Sequence, residues 1–389
     1  MGAGIAQLAL EAGHTVHICD VDAAAVDRGR ARIRAGLERR ASRLDLDPDS
    51  ADAWVDGRLV RLRDAPTLAA LAAAAPDLVI EAALEDLPAK RAIFGELDGA
   101  VRPTTILATN TSALSVEAIG RGVAHPERVV GLHFFNPAPI MPLVEVVVTP
   151  ATDPAVAARA AALMVSWGKV AVRCADTPGF IVNRVNRPFT LEALAMLAAG
   201  RGSVATIDAA IRAADYPMGP FELMDLIGVD INLAAALGVF ERSRAAADPL
   251  AERFRPSSIQ EWMVAAGRLG RKTGEGFYEY GPDGRAVGPA GEFARPGRAK
   301  PDLPPGEIAE RITLAVVNEA YRARGDGVAT AADIDLAMRL GAGHPAGPIE
   351  RVAGLGGPVA VLAVLRRYRP EGPRFDPAPA LLDAALSSA

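Results

Sequence analysis

For its first 175 residues the chain alternates short apolar runs with segments of helical spacing, and this rhythm restricts the fold more than any other feature. TVHICD, LVRLRD, DLVIEAAL, TTILATN, RVVGLHFFN, VEVVV and VAVRC read as strands. An amphipathic stretch, IAQLALEAG, precedes the first, and others such as TLAALAAAA and PAKRAIFGELDGAV lie between later ones. Strands that alternate with helices predict an α/β domain built on a parallel, doubly wound sheet. Such sheets bind ligands beyond the carboxyl ends of their strands. Polar residues gather at those ends: Asp20, Glu85, Asn110, Ser112 and His133.

The opening, MGAGIAQLALEAGHTVHICDVD, reads as a helix, a stop at Gly13 and a strand that ends in Asp20. In a dinucleotide-binding unit a glycine turn opens the helix and an acid after the next strand binds the adenosine ribose. Asp20 fits the acid, and its charge favours NAD over NADP. The glycine fingerprint is incomplete. With Gly2 as its first glycine, the third position falls on Gln7, so Gly2 is better read as the third. In that register a strand and two glycines are expected ahead of Met1, and the native start is expected upstream. Arginines at 28, 30, 32, 34, 39, 40 and 43 follow in a charged helical stretch, either a solvated face or an arm for an anionic substrate.

From Asp176 the pattern turns helical. We expect a first helical domain over 176–281, a Gly- and Pro-rich linker over 282–306 and a second helical domain over 307–389. The second repeats the first. Glu192, Ile207 and Asp208 match Glu319, Ile334 and Asp335, and Pro217, Gly219, Pro220 and Glu222 match Pro345, Gly347, Pro348 and Glu350. The net charge of -5 with no long basic run argues against nucleic acid. No apolar run is long enough to span a bilayer, and two cysteines in 389 residues suit a reducing compartment, so a cytoplasmic protein is expected.

Within GLHFFNPAPIMPLVE, His133 and Glu145 form a base–orienter pair if the fold brings them together. A histidine beside aromatics is also common core filling; the strand-end position favours a site. The other histidines show no metal-ligand spacing with cysteine or carboxylate, so no metal is expected.

HFFNPAP, MPLVEVV, TNTS, DTPGFIVNR and GRKTGEGFY together resemble the 3-hydroxyacyl-CoA dehydrogenases, along essentially the whole chain and in the longer bacterial form with two helical domains. The resemblance implies a Rossmann-type domain, here without its first strand, followed by two all-α domains. It implies NAD-dependent oxidation of a 3-hydroxyacyl-CoA, as in fatty-acid β-oxidation or butanoate and phenylacetate-type catabolism. His133 matches the catalytic base, Glu145 its orienting carboxylate, and Ser112 and Asn183 the residues that position substrate. Gly2, Asp20, Glu85, Lys90 and Asn110 match cofactor contacts, and Asn136 is expected to buttress the site. The arginine arm matches the segment over CoA. Shorter members pair through the helical domain, which implies a homodimer or a pseudo-dimeric monomer. Two other readings stand beside this one: a non-catalytic structural relative, and a dehydrogenase of small free 3-hydroxy acids.

Overall fold

The computed structural model describes residues 1–293 and 301–387, in two compact units, Met1–Asp176 and Thr177–Ala389. The first unit runs α1 (Gly2–Glu11), β1 (Val16–Ile18), α2 (Ala23–Ala41), α3 (Pro48–Leu59), β2 (Leu62–Asp64), α4 (Leu68–Ala73), β3 (Leu78–Glu81), α5 (Leu87–Ala100), β4 (Ile106–Thr109), α6 (Val116–Gly120), β5 (Val129–Phe134), β6 (Leu143–Val148), α7 (Pro154–Ser166) and β7 (Val170–Ala175). Side chains that accept from the first turn start most of these helices: Asp22 for α2, Asp47 for α3, Thr67 for α4, Asp86 for α5, Ser115 for α6 and Asp153 for α7.

The strands form two sheets, β1-β2 and β3-β4-β5-β6-β7. The two sheets share no strand pair among the described residues. Helix α1 spans the break. Its Ile5 and Leu8 pack with Ile106, Val130 and Val144, while Ala6 and Leu10 pack with Ile33, Leu37, Val55 and Leu62.

The expectation of a wholly parallel sheet needs one correction. β6 runs antiparallel to β5, and β7 parallel to β6. The segment between Phe134 and Leu143 is a proline-rich turn with no helix, too short for the crossover that a parallel neighbour requires.

The second unit contains α8 (Val182–Val185), α9 (Arg187–Ala198), α10 (Val204–Arg212), α11 (Pro220–Ile227), α12 (Val229–Ala245), α13 (Ser258–Ala265), β8 (Tyr278–Tyr280), β9 (Ala286–Pro289), α14 (Pro305–Gly325), α15 (Ala331–Ala342), α16 (Arg351–Gly354), α17 (Gly357–Tyr368) and α18 (Pro379–Leu386). It is not all helix: β8, at the end of the expected first helical domain, and β9, inside the expected linker, form an antiparallel hairpin. Part of that linker, 294–300, lies outside the described residues. The two helical copies form one unit rather than two, because α14 packs on α9 and α10.

The repeated residues have a shared local purpose. Asp208 accepts from the backbone N–H of Phe221 and Glu222, and Asp335 accepts from Ile349 and Glu350. Gly219 and Gly347 lie so close to these side chains that a Cβ there would fall 2.2 Å from Oδ1 of Asp208 and 2.2 Å from Cβ of Asp335. Glu222 and Glu350 each return a carboxylate to that glycine's N–H. Across the copies the contacts are reciprocal. Arg184 of the first holds Glu319 of the second at 2.8 Å, and Arg311 of the second holds Glu192 of the first at 2.5 Å. This is the pattern of an isologous interface, in which residue i meets j and j meets i.

Candidate active site

His133 and Glu145 are cross-strand partners in the β5–β6 ladder. His133 is 4% exposed and Glu145 0%. Nδ1 of His133 lies 2.5 Å from Oε2 of Glu145. A carboxylate there fixes the proton on Nδ1, which donates, and leaves Nε2 as the basic nitrogen. The ring of Phe135 packs on the imidazole at 4.7 Å between centroids. The two residues are twelve apart in sequence; the antiparallel turn brings them together. That turn is held by buried Lys169, whose Nζ donates to the carbonyls of Ala138 at 2.6 Å and Met141 at 2.8 Å. Burial pushes the Lys169 ammonium below its ordinary value. Lys169 therefore does what was expected of Asn136, which is exposed and makes no side-chain hydrogen bond among the described residues.

A second cluster lies at the ends of β3 and β4. Asn110 accepts from the N–H of Phe134 through Oδ1, tying the end of β4 to the end of β5. Oε1 of Glu85 collects three donors: the hydroxyl of Thr111 and the N–H groups of Ser112 and Ala113. It thereby shapes the turn that presents the exposed Ser112. Burial raises the Glu85 pKa, but the Thr111 hydroxyl, the Ala113 N–H, Lys90 and the Ser112 N–H outweigh it, and the net shift is downward. Lys90 is 1% exposed. Its Nζ is 2.6 Å from Oε1 of Glu81 and 3.4 Å from Oε2 of Glu85. The Thr109 hydroxyl donates to the other Glu81 oxygen. Lys90 is thus enclosed by protein, and its expected cofactor contact gives way to a positioning role for the two glutamates. Glu81, at the end of a strand legible in the sequence, and Thr111 were given no site role from sequence; a buried acid nine residues before a lysine has no distinctive spacing.

Glu85→Gln keeps Oε1 but removes the charge that strengthens its three hydrogen bonds. We expect a loss of about 1–2 kcal/mol, read from the denaturant midpoint, with a several-fold fall in kcat/KM as the Ser112 turn loosens. The folded pKa of Glu85 is depressed. Its stabilisation is therefore present above the unfolded pKa and lost as pH falls through the folded value, a loss the variant should lack.

The family model described as 3-hydroxyacyl-CoA dehydrogenase, NAD binding domain, matches residues 1–177, and that described as 3-hydroxyacyl-CoA dehydrogenase, C-terminal domain, matches 179–280 and again 306–387. The chain belongs to the 3-hydroxyacyl-CoA dehydrogenases. Among its relatives in this family, the 3-hydroxyadipyl-CoA dehydrogenase of Escherichia coli K12 is 38% identical over 92% of this chain and 89% of the relative. The 3-hydroxybutyryl-CoA dehydrogenase of Mycobacterium tuberculosis is 39% identical over 72% and 95%. The crystal structure of 3-hydroxybutyryl-CoA dehydrogenase from Escherichia coli K12 matches with a TM-score of 0.85 at 35% identity, covering 100% of this chain and 96% of that one. The protein is thus an NAD-dependent oxidoreductase of 3-hydroxyacyl-CoA. Among the described residues no single helix is long and apolar enough to cross a membrane, and no group of His, Cys, Asp and Glu could hold a metal.

The strand ends of a 3-hydroxyacyl-CoA dehydrogenase must receive a dinucleotide, and these suit one. Helix α1 opens at Gly2, and the N–H groups of Gly2 and Ala3 have no protein partner among the described residues. Free N–H groups at a helix start favour a pyrophosphate. Asp20, just past β1, is exposed. In the arm, Arg30 pairs with Asp64, Arg34 with Asp56 and Arg40 with Glu11, all at least partly exposed.

Proposed function

We propose that His133 is the base that takes the proton of the substrate's 3-hydroxyl at Nε2, with Glu145 orienting the imidazole and stabilising its charged form. The observation that carries this reading is the buried 2.5 Å contact between the two. A secondary alcohol releases hydride from its carbon only as its O–H proton leaves, so a single oriented base suffices. Ser112, presented by the Glu85-capped turn, and Asn183, on α8 of the second unit, position the hydroxyl and thioester. Gly2, Asp20, Glu85 and Asn110 receive NAD, which when bound accepts the hydride; Lys90 holds Glu81 and Glu85 in place. The test is NADH formation with straight-chain 3-hydroxyacyl-CoA thioesters, beside the matching free 3-hydroxy acids. NADH from the thioesters alone supports the reading. Equal turnover of the free acids would move the activity to small 3-hydroxy acids, and no turnover of either would favour a structural role. The fatty-acid, butanoate and phenylacetate routes named by resemblance all consume such thioesters in the same reaction. Two cysteines in 389 residues support a reducing cytoplasm as the enzyme's location.

The reciprocal Arg184–Glu319 and Arg311–Glu192 pairs support a pseudo-dimeric monomer, since each copy of the helical repeat already finds its mate within the chain. Sedimentation is expected to give the mass of one chain, 40.5 kDa. A dimer would show that another face is used.

A further inference from the structure

Among the described residues, five arginines are 5% exposed or less: Arg128, Arg184, Arg187, Arg253 and Arg311. Four of them hold carboxylates. Arg128 holds Asp98 at 2.7 Å, Arg184 and Arg253 hold Glu319 at 2.8 and 2.7 Å, and Arg311 holds Glu192 at 2.5 Å. Arg187 has no acidic partner among the described residues. Its Nη1 lies 3.4 Å from the carbonyl of Asn232 and 3.5 Å from Oδ1 of the same residue, both long. That Oδ1 already accepts from Gln260 at 2.8 Å. Nε of Arg187 is buried with no hydrogen-bond partner among the described residues.

A buried cation without a counter-ion is costly, and proteins keep one where something else supplies the anion. Burial lowers the Arg187 pKa only to about 10, so the guanidinium stays charged at neutral pH. Its place in the chain says which anion. Only Asn186, itself in the right-handed helical region, separates α8 from α9. Arg187 therefore stands one turn beyond Asn183, about 6 Å along the helix. Asn183 is the residue assigned above to the reacting end of the substrate. A six-carbon 3-hydroxydicarboxylyl thioester carries its second carboxylate three carbons beyond the hydroxyl-bearing carbon, a span of similar length.

We propose that Arg187 is a specificity-determining residue that receives the distal carboxylate of a dicarboxylyl-CoA substrate. This rests on the reading of the protein as a 3-hydroxyacyl-CoA dehydrogenase with Asn183 at the substrate. A planar guanidinium with unused donors suits a carboxylate, to which it can donate twice. The same donors could meet a phosphate of CoA, which every thioester substrate carries, and the test separates the two sources.

The experiment compares kcat/KM for 3-hydroxyadipyl-CoA and 3-hydroxyhexanoyl-CoA, equal in length and different only at the distal end. The intact chain is expected to prefer the dicarboxylyl substrate at least tenfold. In Arg187→Met that ratio should fall at least tenfold, and Arg187→Lys should restore part of it. The melting temperature of Arg187→Met should stay level or rise, because an unpaired buried charge is gone. Equal losses on both substrates would place the anion on CoA, or make Arg187 structural, and overturn the proposal. So would an intact chain with no preference. If Arg187→Met does not fold, the wild-type ratio and the relative product inhibition by 3-oxoadipyl-CoA and 3-oxohexanoyl-CoA decide. Failure of the intact chain on both thioesters would instead refute the dehydrogenase reading itself.

Discussion

His133→Gln is expected to lower kcat by about 10²–10⁴-fold while the protein stays folded and retains NADH binding. Glutamine can still donate a hydrogen bond to Glu145, so the buried carboxylate at the centre of the sheet keeps a donor. What it lacks is a nitrogen that accepts a proton. If His133 is the base, the hydride step loses its proton acceptor, and the fall appears in kcat rather than in the KM for NAD. Glu145→Gln should fall less far, because the imidazole remains but its tautomer and charged form lose their support. Stopped-flow NADH formation, with NADH affinity measured by fluorescence on the same preparations, checks both. A His133→Gln protein that works within tenfold of wild type would remove His133 from the chemistry.

Much of this site was legible in the sequence because strand rhythm states where strands end. His133, Glu85 and Asn110 were placed by that logic, and Glu145 was read beside His133 as its orienting carboxylate within the same motif. What the rhythm could not say is which contacts are internal. Lys90 matches a cofactor residue by resemblance, yet its ammonium is sealed against Glu81; an ion pair nine residues apart leaves no trace in periodicity. Asn136 read as a buttress because it sits inside the motif, whereas the lysine that holds the turn comes from the far side of α7. The parallel reading of every strand failed at one point for a related reason. The proline-rich connection between β5 and β6 is too short for a crossover, and strand rhythm alone does not carry that distinction. The helical duplication was visible as a row of matched residues, and Asp208, Gly219 and Glu222 explain why: each repeat starts a helix against a buried carboxylate. The matched Glu192 and Glu319 gave no hint that each would be held by an arginine of the other copy. Sequence comparison aligns the copies side by side, and the structure sets them face to face.

That exchange carries the largest expected loss of stability. Glu319 is 3% exposed on α14. Its Oε1 accepts from Nε of Arg184 at 2.8 Å and Nη2 of Arg253 at 3.2 Å, and its Oε2 from Nε of Arg253 at 2.7 Å. Glu319→Gln keeps the shape and strips the shared countercharge from two buried guanidinium groups. Among the described residues Arg184 then keeps Asp326 as its one acidic partner and Arg253 keeps Asp248, both more exposed than the carboxylate they lose. Breaking a buried pair from one side costs about 3–5 kcal/mol, much of the stability of an ordinary domain. The denaturant midpoint should fall accordingly with the slope unchanged. The pH dependence has a definite sign. Burial raises the Glu319 pKa, but the charges of Arg184 and Arg253 and their hydrogen bonds pull it below its ordinary value. The stabilisation is therefore complete above the unfolded pKa and disappears as pH falls through the depressed folded one. Wild type should lose stability in that acid window, and Glu319→Gln should lose less there, having lost it already at neutral pH. Arg184 sits on α8 next to Asn183, so the same change should also raise the KM for the thioester. A loss below about 1 kcal/mol, the range of an exposed pair, would mean that the copies are held together by their apolar faces and that the crossed arginines are incidental.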